Sequence, residues 1–169
     1  MFGNLQKSRI IAYTAAFIGL LSLGAWVSVP FFPVPLTLQT LFVLLAGAVM
    51  KRYAVIPVFL YVLLGALGLP VFHTGVAGIG ILLGPTGGYL AGFILAALVV
   101  GLAYEHASQI IRITGLLAGT AIISICGVVW LMYSLTLGFI PAVISGVLPF
   151  IPGDLIKIYA AYMIAKRLP

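Results

Sequence analysis

Near the end of the sequence, Pro149-Phe150-Ile151-Pro152-Gly153-Asp154-Leu155-Ile156-Lys157 sets a carboxylate and an ammonium three residues apart inside an apolar run. An ionisable side chain at bilayer depth costs roughly 2.5–3.5 kcal/mol on insertion scales, so a pair kept there is a functional-site hypothesis by default. Pro149 and Pro152 lack an N–H and disfavour helix just before them. They predict a break, with helix resuming near Gly153 and running to Arg167. Asp154 then lies at or near the N-cap, and Lys157 in the first turn. An anion beside Lys157 would gain from the ammonium and from the free N–H groups of a helix start. Asp154 would accept hydrogen bonds from N–H groups at the ligand's other end. A second reading stands beside this one. Residues three apart on a helix touch, so Asp154 and Lys157 can pair with each other, lowering their insertion cost and fixing the kink.

Further polar residues fall near the outer half of the membrane in this reading. Gln39 and Tyr89 are candidates to complete a small polar cavity, with interhelical hydrogen bonding as the competing role. Thr37, Thr40, His73, Thr74, Gly75 and Thr86 accompany them, and Phe31, Phe32 and Phe72 are available as apolar walls. His73 has no second His, Cys or carboxylate near it in sequence, which argues against a metal ligand. Glu105 and Asp154 are the only carboxylate side chains, so hydrolysis by paired acids lacks its parts and an enzyme is not expected. Cys126 is alone, which excludes an internal disulfide. Gly78-Ile79-Gly80 with Gly84 has no βαβ unit around it, and Gly84-Pro85-Thr86-Gly87-Gly88 lacks the Lys-Ser/Thr ending of a phosphate-binding loop. No cofactor is implied.

These residues must be positioned by elements that live in lipid. Of 169 residues 64% are hydrophobic and 6% charged, with a mean hydropathy of +1.33. Soluble domains need about 25% charged residues to face water. The expected fold is an all-α integral membrane protein, a single membrane domain over 1–169. Six transmembrane helices are predicted at about 10–29, 36–50, 54–69, 87–104, 113–133 and 142–165. The first run is long enough to span and leads into a proline-rich motif rather than a cleavage site, which argues against a removable signal peptide. Gly88 with Gly92, and Gly115 with Gly119, are small-xxx-small pairs suited to close helix packing.

The net charge of +6 does not form a basic stripe, and nucleic acid is not an expected partner. With the N-terminus in the cytoplasm, Lys7, Arg9, Lys51, Arg52, Arg112, Lys166 and Arg167 all fall inside. The outer connections 29–35, 70–86 and 134–141 contain no Lys or Arg. That asymmetry predicts an N-in, C-in topology. The stretch 70–88 is too apolar for a solvated linker and too glycine-rich for regular helix. A lid packed back over the bundle fits it, and a plain outer connection is the alternative.

Three stretches, taken together and in order, resemble the BioY family, the biotin-specific S components of energy-coupling factor (ECF) vitamin transporters. They are Val29-Pro30-Phe31-Phe32-Pro33-Val34-Pro35-Leu36-Thr37-Leu38-Gln39-Thr40, Gly84-Pro85-Thr86-Gly87-Gly88-Tyr89, and the segment Pro149 to Lys157. The resemblance implies a six-helix bundle in the cell membrane that binds biotin near its outer face under the glycine-rich loop. It also implies a transmembrane coupling protein and two ATPase subunits as partners. In family members the acid and the lysine of the last motif bind biotin, roles that carry over to Asp154 and Lys157. Some relatives hold the ligand with a polar or basic residue at the positions of Val76 and Leu90. Both are apolar here, which leaves Lys157 as the main cation for a carboxylate. An Ala-xxx-Ala pattern on the first helix, matched by Ala12 and Ala16, implies the docking face for the coupling protein. A solitary facilitated transporter, or a vitamin-binding subunit for another ligand, is the alternative function.

Overall fold

A computed structural model describes residues 2–168 of the chain, with side chains described over residues 7–168. The architecture is helical, as an apolar chain that must satisfy its own backbone hydrogen bonds requires. Helix α1 covers Phe2–Trp26, α2 Gln39–Met50, α3 Val55–Ala66, α4 Ile79–Leu83, α5 Gly87–Ala103, α6 Gln109–Ser134, α7 Phe139–Gly146 and α8 Ile151–Arg167. One short extended pairing accompanies the helices. After α1, strands β1 (Ser28–Val29) and β2 (Leu36–Thr37) pair antiparallel, Ser28 opposite Thr37. The prolines at 30, 33 and 35 cannot continue a helix, so the chain closes a short ribbon instead.

By length and apolarity, three helical segments among the described residues are able to cross a membrane: Lys7–Trp26, Gln39–Ala66 and Gln109–Ser134. Phe139–Gly146 and Ile151–Arg167, bent by 52° at their junction, make a fourth if taken as one span. The segment Gln39–Ala66 is not one straight rod. Gln39 Nε2 donates to Tyr61 Oη at 2.6 Å across 22 residues, which a straight helix would hold about 33 Å apart at its ordinary rise. The chain turns back at Lys51, whose φ of 55° and ψ of −140° leave the helical region. Helix α5 packs against that turn, because Gly101 presents no side chain where the Lys51 carbonyl sits.

Helices in lipid gain little by hiding apolar surface from one another, so backbone proximity and packing hold them. The α5–α6 pair shows this. A methyl at Gly92 would lie 3.0 Å from Ile123 Cα, and one at Gly119 would lie 2.6 Å from Val100 Cγ2. Both small-xxx-small pairs therefore face the neighbouring helix. The core centres on Leu21, Val43, Val58, Tyr61, Phe72 and Leu131, all buried.

Helix α8 starts earlier than the prolines suggest. Phe150 is its N-cap, and Pro152 occupies the second helical position, where a missing N–H costs nothing because no intrahelical acceptor exists there. The Asp154 N–H donates to the Phe150 carbonyl at 2.8 Å. Asp154 is thus inside the first turn rather than at the cap, and Lys157 lies in the second turn rather than the first.

Candidate functional site

The break between α7 and α8 opens onto a cavity bounded by the starts of α2, α5 and α8 and by the middle of α6. Asp154 and Lys157 project into it beside Gln39, Tyr89, Thr86 and Ser124. The Pro-rich ribbon covers it with Val34 and Pro35, and the outer loop with Phe72 and His73. A water molecule's centre can occupy about 50 Å³ inside, room for a few waters at roughly 10–15 Å³ each.

Lys157 Nζ donates to Asp154 Oδ1 at 3.2 Å, and the two side chains are only 10% and 14% exposed. Each neutralises the other, and each still faces the cavity. Removing one partner alone would leave the other charge buried and uncompensated. An incoming anion that takes over Lys157 leaves Asp154 oxygens to accept from ligand N–H groups, so the pair is able to exchange its internal bond for two external ones.

Gln39 sits where α2 begins. Its Oε1 accepts from Thr37 Oγ1 at 3.2 Å, and its Nε2 donates to Tyr61 Oη. Tyr61 then donates to the Val71 carbonyl at 2.9 Å, and its ring meets Phe72 edge-on with centroids 5.6 Å apart. A hydrogen-bonded chain thus runs from the cavity floor to the root of the outer loop. Trp130 Nε1 donates to the Gly84 carbonyl at 2.8 Å and ties down the loop's other end. Tyr89 braces the α7–α8 break: its hydroxyl donates to the Gly146 carbonyl at 2.7 Å and its ring stacks on Phe150. Gly127 makes that possible, since any side chain there would occupy the space of the Tyr89 ring.

Of the residues the sequence singled out, the structure brings Asp154, Lys157, Gln39 and Tyr89 to one cavity and leaves Thr74 and Gly75 out of it. Both lie at the exposed tip of the loop with positive φ, and Thr74 Oγ1 bonds to the His73 carbonyl. Their neighbours Phe72 and His73 reach inward instead. Burial lowers the His73 imidazole below its ordinary value, so it is neutral at pH 7 and adds no cation at the cavity mouth. Leu90 lines the cavity and is 4% exposed, whereas Val76 stands outside it in the loop. Ser124 and Tyr61 escaped notice in the sequence. A tyrosine hydroxyl in mid-helix must find a partner when buried, and that requirement was the available signal for Tyr61. Glu105 makes a two-pronged pair with Arg52 at 2.6 Å for each contact. Ala12 and Ala16 are both exposed on α1.

The model of the BioY family matches residues 2–169. The chain is 45% identical over 162 residues to the biotin transporter BioY of Thermotoga maritima, covering 95% of each chain. It is 42% identical over 164 residues to the probable biotin transporter BioY of Pyrococcus horikoshii, covering 96% of this chain and 98% of that one. A crystal structure of the S-component for biotin from an ECF-type ABC transporter superposes with a TM-score of 0.87 at 28% identity, over 97% of this chain and 92% of the other.

Tyr61→Phe keeps the ring against Phe72 and removes only the hydroxyl that joins Gln39 to Val71. The expected loss is about 1–3 kcal/mol of stability from the two groups left unmatched, with faster amide exchange across residues 70–78. Thermal unfolding in detergent and hydrogen exchange measure the two effects. Unchanged exchange in that segment would mean the hydroxyl does not hold the loop.

Proposed function

This chain belongs to the BioY family, and from that premise we propose that it takes up biotin, as the substrate-binding subunit of an ECF-type transporter, through the cavity beside Asp154 and Lys157. It is a transport subunit and not an enzyme. The observation that carries the assignment of the site is a nearly buried acid–base pair on the cavity wall. Biotin has a carboxylate at one end and ureido N–H groups at the other. Lys157 takes the carboxylate, Asp154 and the Gln39 amide take ureido groups, and Tyr89, Phe93 and Phe150 flank the apolar body. The outer loop is a lid hinged at its two hydrogen-bonded ends, with Thr74 and Gly75 closing over the ligand from the tip.

The chain sits in the cell membrane as one domain of six spans. These are α1, α2, α3, α5, α6 and the broken α7–α8 pair, with both ends in the cytoplasm. The placement of the charges supports this topology. Lys51, Arg112 and Lys166 gather at the end of the molecule away from the cavity, where a cytoplasmic surface retains them.

Lys157→Gln should saturate with biotin but more weakly. A hydrogen bond to a charged group is worth about 1.5–3 kcal/mol, so affinity should fall roughly tenfold to a hundredfold. Isothermal titration of purified protein reads this directly. An affinity equal to that of the unmodified chain, with normal thermal unfolding, would place the ligand elsewhere.

Energy for uptake comes from a coupling protein and two ATPase subunits, and α1 supplies the docking face. Ala12 and Ala16 stand one turn apart and exposed, and a side chain added at Gly19, the next position on that stripe, would meet nothing within 4 Å. Ala12→Trp and Ala16→Trp should each leave biotin binding intact and abolish copurification with the coupling protein and ATPases. Normal copurification of both variants would remove this face from the account. Failure of the unmodified chain to copurify with any such partner would favour solitary transport.

A further inference from the structure

The end of the molecule opposite the cavity carries a second concavity of different chemistry. Lys51 from the turn after α2, Arg112 from α6 and Lys166 from α8 converge on a hollow of about 310 Å³, joined there by Tyr104, Gln109 and Tyr162. No carboxylate side chain lines it among the described residues, and neighbouring Glu105 is already held by both prongs of Arg52. The cations are therefore in excess. Arg112 is fixed in place: its guanidinium lies 5.5 Å from the centre of the Tyr104 ring, and its Nε donates to the His106 carbonyl at 2.9 Å. Its terminal N–H groups make no hydrogen bond to another described residue.

An independent observation concerns Tyr104 itself. The residue is 6% exposed, and its hydroxyl finds no hydrogen-bond partner among the described residues. The buried Tyr104 ring is thus a fixed platform that holds the Arg112 guanidinium at the hollow. Simple compensation of helix C-terminal dipoles accounts for Lys166 at the end of α8. It does not account for Arg112 near the start of α6.

We propose that this hollow binds a phosphate group, borne by an anionic phospholipid of the adjoining leaflet or presented by a free phosphate anion. Three cations from separate elements suit its several acceptor oxygens. Ala48, Val49, Ala165 and Leu168 complete the wall, and they give the first carbons of a lipid an apolar surface that free phosphate would not use. The position suits a headgroup, because the helices end here where the polar region of the bilayer begins.

The test uses the purified chain in nanodiscs of phosphatidylcholine mixed with phosphatidylglycerol, with retained lipids counted by native mass spectrometry. The unmodified protein should retain phosphatidylglycerol above its bulk proportion. Arg112→Gln combined with Lys166→Gln should reduce that preference by about fivefold for each cation removed. Lys7→Gln with Arg9→Gln, an equal loss of charge outside the hollow, should leave it unchanged. A parallel titration with inorganic phosphate in detergent separates the two sources. Saturable binding that the Arg112 and Lys166 substitutions abolish assigns the hollow to a free phosphate group, whereas lipid retention without it assigns the hollow to a headgroup. An equal loss of lipid in the Lys7 and Arg9 variant would overturn the proposal, as would an unmodified chain that neither prefers phosphatidylglycerol nor binds phosphate.

Discussion

Two opposite charges held 3.2 Å apart and nearly out of water constrain everything around them. Desolvation penalises each ion by several kcal/mol, and their attraction offsets that penalty only while they stay together. The chain has therefore to deliver Asp154 and Lys157 to the same wall, which the three-residue spacing on α8 does. It has also to start α8 at the cavity, which requires the break after α7. The break leaves backbone carbonyls without helical partners, and the Tyr89 hydroxyl satisfies the one at Gly146. Gly127 admits the Tyr89 ring, and the close α5–α6 packing brings the two helices near enough for it. The site rests on this sequence of dependencies, each with its own physical cause.

Polarity is divided between the two ends of the molecule. At one end the cavity places one ion pair among neutral polar groups, beneath connections without Lys or Arg. At the other, Lys51, Arg112 and Lys166 surround a hollow that no carboxylate side chain lines among the described residues. Helices α2 and α8 each run from the first region to the second, from Gln39 to the Lys51 turn and from Asp154 to Lys166. The outer loop is fastened by hydrogen bonds at both its ends while its tip is exposed, an arrangement suited to local opening without loss of the bundle.

Much of the site was legible because membrane depth makes polar residues expensive, so each one marks a requirement. Asp154, Lys157, Gln39 and Tyr89 were found by that logic and share one cavity. The inference weakened where the backbone decides. Thr74 and Gly75 lie with positive φ at the exposed tip of the outer loop, while Phe72 and His73 of the same loop line the cavity. The prolines announced a break and not its position, because a proline in the first turn of a helix does no harm. Ser124 was hidden on α6 because a lone serine in an apolar helix can satisfy its hydroxyl on the helix backbone and so does not announce a cavity. The two-residue strands lie below any periodicity a sequence can display.

Whether Lys157 receives a ligand's carboxylate is read by comparing biotin with biotin amide on the unmodified protein. The amide keeps the ring system and chain and removes only the negative charge. If Lys157 leaves Asp154 for that carboxylate, the amide should bind roughly tenfold to a hundredfold more weakly, the value of a charge-assisted hydrogen bond. Equal affinity for the two ligands would contradict the account and leave the pair as a brace for α8 alone.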